Sequence, residues 1–219
     1  MTVVNTAPFP ERHEIVKELT PILKTGDIIF RETDTRGPLN LPFSALVSRV
    51  SNSKFDHASI VIVEADDIYV IEVNERGVVK ARLIDWLDYV YKNHLAVYRL
   101  KSDSEFLEPA FRAEINKLVA HDDVYNFTYD VNSTNTVYCT QSVCRIYEAI
   151  SRPLMQPVAM KDVFKAKLNY SIFVIGNWVI KKYSGYGFDL TNGKYFFVGN
   201  ETLGMLASPL IEQIYTKSW

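Results

Sequence analysis

The 219-residue chain has only two cysteines, Cys139 and Cys144, five positions apart. On a helix, residues so spaced point about 140° apart, with Cα atoms beyond the ~7 Å that a disulfide spans. The two do not bridge, and two thiols without a second Cys/His cluster make a poor zinc site. Charge of one sign is also lacking: 24 basic against 26 acidic residues leave a net charge of -2. The chain therefore has no overall basic field for nucleic acid or anionic lipid, and a small molecule or peptide is the more natural partner. Apolar runs are short. The longest, Ile172 to Ile180, is broken by Gly176 and Asn177 and falls below the ~18 residues of a membrane span. The N-terminus shows no basic region followed by an apolar core, so no secretory signal is read. The default is cytoplasmic, with the cell envelope open if a signal was removed.

With 47% hydrophobic and 13% aromatic residues, the composition is that of an ordinary globular protein. No repeat, low-complexity tract or linker interrupts it, and the expectation is one domain over residues 1–219. Helical periodicity marks Glu11 to Leu23, Phe43 to Val50, Phe106 to Val119 and a run from Cys139 ending at Ser151-Arg152-Pro153. A helical turn or two is expected from Trp86 to Tyr91. β-Branched runs mark "GDIIF", "HASIVIVE" (57–64), "IYVIEV" (68–73), "GVVKARL" (77–83) and "LAVYRLK" (95–101). The second and third form a hairpin through Ala65-Asp66-Asp67, and Asn192-Gly193 signals another tight turn.

A helix start at or next to Cys139 gives that thiol unpaired backbone N–H groups and the positive end of the helix dipole, which favour thiolate. The bland alternative is packing, since free cysteine is often buried; Cys144, among Val143 and Ile146, is assigned to packing. Of four histidines, His13, His94 and His121 lie at polar or terminal positions. His57 opens a rigid strand and has an acid on the neighbouring one. Counting back from a turn centred near Asp66-Asp67 places residue 57 opposite residue 76, so Glu72 and Asn74 share its face. The count sets Asn74 nearer, and either an amide or a carboxylate can orient an imidazole. "DVNSTNTVYCTQ" begins like a calcium loop at Asp130, Asn132 and Thr134. It lacks the glycine and the closing acid, having Asn135 and Gln141 there.

Taken in order, "GDIIF", "DHASIVI", "YVIEV" and "VYCTQSV" resemble the circularly permuted branch of the NlpC/P60 papain-like superfamily, the YiiX-like proteins. There the histidine strand precedes the cysteine helix. The family's tyrosine, cysteine, serine, glutamate motif reads here Tyr138, Cys139, Thr140, Gln141. The resemblance implies an α+β papain-like fold with an antiparallel sheet or half-barrel packed on the cysteine helix. It implies a cysteine hydrolase with Cys139 as nucleophile, His57 as base and Glu72 or Asn74 as orienter. Tyr138 or Tyr125 would bind the oxyanion, and Thr140 and Gln141 would lie near substrate. No metal or other cofactor is called for. The expected substrate is a small peptide-like or N-acyl compound, such as a cell-wall peptide. The alternatives are a lipid esterase or acyltransferase using the same thiol, and a non-catalytic binding domain.

Overall fold

In the computed structural model the described residues are 11–33, 44, 48, 51–65, 67–74, 76–87, 94–101, 107–120, 124–125, 131–132, 136–159, 162, 167–184 and 193–218. The main sheet has six antiparallel strands: β1 (Ile28–Arg31), β2 (His57–Glu64), β3 (Asp67–Asn74), β4 (Gly77–Arg82), β5 (His94–Leu100) and, last in the chain, β10 (Ile211–Ser218). Their spatial order is β10-β5-β1-β2-β3-β4. β1 and the first six residues of β2 are buried on both faces, which is why these segments read as apolar runs without alternation.

Each face packs on helices. α1 (Arg12–Leu19) and the short α2 (Leu83–Trp86) cover one: Ile15, Leu19, Leu83 and Trp86 join Ile29, Val61, Val70, Leu95 and Val97. α3 (Glu108–Ala120) and α4 (Cys139–Ala149) cover the other, where Phe111, Ile115, Val143 and Tyr147 meet Ile28, Phe30, Ala58, Ile60 and Ile71. Smaller pairings join β6 (Val124–Tyr125) to β7 (Thr136–Val137) and β8 (Val158–Ala159) to β9 (Lys194–Tyr195). α5 (Lys167–Ser184) lies between β8 and β9 in the chain.

The hairpin is tighter than the sequence count. Glu64 pairs with Asp67, leaving a two-residue turn in which Ala65 takes φ 45°. Continuing that register puts Ser59 opposite Glu72, and His57 opposite Asn74 rather than residue 76. The faces are unchanged because the slip is an even number of residues. The expected strand 95–101 lies at His94–Leu100, and the turn near Trp86 forms earlier, at Leu83–Trp86. Most of the Phe43 to Val50 segment, and Asn192 of the expected tight turn, fall outside the described residues; β9 pairs with β8.

The "GDIIF" stretch proves structural. Gly26 takes φ 91°, a conformation that suits glycine. Its carbonyl accepts a hydrogen bond from the Tyr147 hydroxyl of α4, tying the cysteine helix to the sheet. Asp27 is wholly buried and accepts two bonds of 2.7 Å from the Arg99 guanidinium, a bidentate clamp between β5 and the start of β1.

Candidate active site

Cys139 is the first residue of α4, with Tyr138 in extended backbone before it. The N–H groups of a helix's first turn have no partner within the helix, and the first closing bond here runs from the Ser142 N–H to the Tyr138 carbonyl. Positive backbone dipoles therefore converge at the Cys139 end. Tyr138 N–H donates to Gln141 Oε1 at 3.4 Å, and Gln141 Nε2 donates to the Val131 carbonyl at 3.2 Å. Thr140 Oγ1 donates to the Phe196 carbonyl at 2.8 Å, while Phe196 N–H donates to the Tyr138 hydroxyl at 2.8 Å. The helix tip is thus bound to the backbone of Phe196, and the polar groups of Thr140 and Gln141 engage the backbone. The Tyr125 side chain lies outside the described residues.

His57, 9% exposed, is the first residue of β2, so its ring stands at the strand end where the tip of α4 meets the sheet. Its Nε2 lies 3.1 Å from Glu72 Oε2, which leaves Nδ1 for the sulfur. Burial disfavours the imidazolium. The negative charge of Cys139 is the leading force against burial, with Glu72 and a hydrogen bond to Cys139 adding and Arg31 opposing, and the pKa is raised to about 9. Cys144, by contrast, is pushed well up by burial; it is a packing residue, and both thiols are free.

Glu72 is the electrostatic centre. Its Oε2 accepts from Arg31 Nη2 at 2.9 Å, His57 Nε2 at 3.1 Å, Trp86 Nε1 at 2.9 Å and Ser59 Oγ at 3.3 Å. Oε1 accepts from Asn74 Nδ2 at 2.9 Å. Burial would raise the carboxyl pKa, but Arg31, His57 and these hydrogen bonds hold it well below the usual range. Glu72 thus reaches the imidazole diagonally across the hairpin. Asn74, level with His57, instead steadies the carboxylate.

Sequence reasoning missed three of these partners. Arg31 sits directly across from His57 in the β1–β2 ladder, buried, with its guanidinium 5.4 Å from the Trp86 ring. Trp86 and Ser59 complete the enclosure. Their signal was only the register: an arginine ending one buried strand opposite the histidine that opens the next. Asp56, just before His57, accepts hydrogen bonds from the N–H and the hydroxyl of Thr33, fixing the entry to β2. Burial raises its pKa, against Thr33, His57 and Arg31.

Residues 22–174 match a family described as permuted papain-like amidase enzymes, YaeF/YiiX, C92. The chain belongs to this family. The fold agrees: the crystal structure of the metalloprotein yiiX from Escherichia coli O157:H7 superposes with a TM-score of 0.67 at 16% identity, covering 90% of this chain and 98% of that one. No curated protein matches the chain. The α+β papain-like fold, with the antiparallel sheet against the cysteine helix, is the one expected from the sequence. Family membership makes this a papain-like cysteine hydrolase by class.

The yiiX structure is described as a metalloprotein, so the donors here need testing against a cation. Among the described residues no three His, Cys, Asp or Glu side chains group as a metal site. Both Glu72 oxygens already receive hydrogen-bond donors, one a guanidinium, and a cation there would meet Arg31. These residues do not fit a metal.

Proposed function

We propose that the chain cleaves an amide bond through a thioester on Cys139, with His57 as the proton carrier and Glu72 as its orienter. The observation that carries this reading is the junction of helix tip and strand end: Cys139 opens α4 beside an imidazole whose far nitrogen is held by a buried carboxylate.

The chemistry follows from that arrangement. Cys139 Sγ attacks the carbonyl carbon, and the oxyanion meets backbone N–H groups at the start of α4, that of Cys139 first. Tyr138, whose burial holds its pKa well above the usual phenol range, keeps a proton to donate even while its oxygen accepts from Phe196. The C–N bond then breaks as the imidazolium gives its proton to the leaving amine. Water, deprotonated by the now neutral His57, attacks the thioester, the C–S bond breaks, and the acid departs with thiolate and imidazolium restored. The substrate class best suited to a permuted papain-like amidase is a peptide-like or N-acyl compound, such as a cell-wall peptide.

Iodoacetamide alkylation near pH 6, read by mass spectrometry, tests the core of the proposal without a known substrate. Cys139 is expected to react at least about tenfold faster than an unfolded-chain thiol, and His57→Gln to remove that advantage. Alkylation no faster than in the unfolded chain would leave a binding domain with an amidase ancestry.

A further inference from the structure

Three described residues of α5 reverse the usual placement of polar and apolar side chains on a surface helix. Asn177 is buried at 6% exposure, while Ile175 and Trp178 stand 64% and 59% exposed. With 3.6 residues per turn, Ser171, Ile175, Trp178 and Lys182 share one face, and all four are exposed. Lys182 Nζ lies 4.9 Å from the centre of the Trp178 ring, and exposed Lys181 flanks the stripe. The helix sequence KLNYSIFVIGNWVIKKYS holds three lysines and no acid, in a chain whose 26 acids outnumber its 24 bases. The negative overall charge thus hides one locally positive element.

We infer that α5 is an interfacial anchor that beds Ile175 and Trp178 into an anionic lipid surface, with Lys181 and Lys182 against headgroup phosphates. Scattered exposed apolar residues are ordinary. Two large ones on successive turns, rimmed by lysines and joined by a cation over an indole, have the composition of helices that lie in a membrane interface. Among the described residues no helix is long and apolar enough to cross a membrane, so α5 would lie on the bilayer, not span it. A second copy of the chain suits the face less well. Two-fold pairing there would set Lys181 and Lys182 against a helix that offers no acid, whereas anionic headgroups attract them.

Co-sedimentation with phosphatidylcholine vesicles, with and without phosphatidylglycerol, tests the inference on the full chain. Binding is expected only with phosphatidylglycerol, weakening as salt rises. Lys181→Gln/Lys182→Gln should weaken it by about 25-fold, at about fivefold per lysine, and Ile175→Ser/Trp178→Ser by about tenfold or more. Cys139 alkylation at the wild-type rate in both variants would show an intact fold. No binding, equal binding to both vesicles, or unchanged binding by the variants would overturn the inference. So would self-association, measured by sedimentation velocity, that the variants abolish. Should a variant fail to fold, quenching of the intact chain by brominated phosphatidylglycerol, compared with Trp178→Phe, decides the same question.

Discussion

Glu72→Gln is the sharpest perturbation of the site, because it changes one charge and almost no volume. The glutamine oxygen can take the place of Oε2 and still accept from Trp86 and Ser59, whose donors lie 2.9 and 3.3 Å from that atom. What it cannot do is neutralise Arg31, which is buried with its Nη2 at 2.9 Å from the carboxylate. Removing one partner of a buried ion pair costs about 3–5 kcal/mol, far more than the ~1 kcal/mol of one neutral hydrogen bond. The expected loss of unfolding free energy at pH 7 is therefore about 3 kcal/mol or more, measured by urea titration. At the same time His57 loses one of the two anions that most raise its pKa, so its imidazole should titrate well below 9, read from its Cε1–H proton by NMR. Hydrolysis should fall about 10²-fold to 10⁴-fold. Arg31→Met combined with Glu72→Gln should recover most of the stability lost, since no uncompensated charge remains. A stability loss under about 1 kcal/mol, with His57 still titrating near 9, would refute the placement of Glu72 as the counter-ion of both cations.

Two further outcomes follow from the charges around His57. Its raised pKa means the imidazolium's pairing stabilises the fold fully below 6.5 and is lost as pH rises through about 9, a difference of about 3 kcal/mol. The urea midpoint and the hydrolysis rate should both decline across that window, and His57→Gln should flatten the stability curve; an identical decline in the variant would sink the assignment. Arg31 opposes protonation of His57, so Arg31→Met should move the alkaline limb of the rate profile upward while Arg31→Lys leaves it near 9. A limb unmoved by Arg31→Met would make the guanidinium purely structural.

Much of this arrangement was legible where local physics decides it. The start of α4 at Cys139 follows from apolar spacing after an extended tyrosine, and the hairpin from two β-branched runs around a short turn. The register was not legible to the residue, because Ala65 in a left-handed conformation closes the turn one position sooner than the three-residue count. That shift brought Asn74 level with the imidazole, yet Glu72 makes the contact because a longer side chain reaches the diagonal. Gln141, a departure from the family motif, keeps an acceptor for the Tyr138 N–H and so preserves the helix start. α5 escaped periodic reading in part because Ile175 and Trp178 face outward and Asn177 inward. β10 escaped because an edge strand with the pattern IEQIYTKS is set by pairing to β5 and carries little hydrophobic signal of its own.

The register also explains why an acid at position 72 suits the proposed role of orienter. Arg31 and an imidazolium at His57 stand directly opposite each other in the ladder, and like charges so placed repel. An amide at position 72 could accept a hydrogen bond but could not hold both cations. The carboxylate does, through one oxygen that receives both, and Trp86 and Ser59 close off that oxygen from solvent. A buried ion cluster of this kind contributes little net stability compared with apolar packing. Its proposed use is directional: it commits Nε2 to the carboxylate, which leaves Nδ1 for the sulfur. Arg31 then counters the two anions that would otherwise hold the proton too firmly on His57, and proton transfer to a leaving amine requires that the ring release it. The strand-end arginine and the helix-tip thiol thus act on the same imidazole, one loosening the proton that the other attracts.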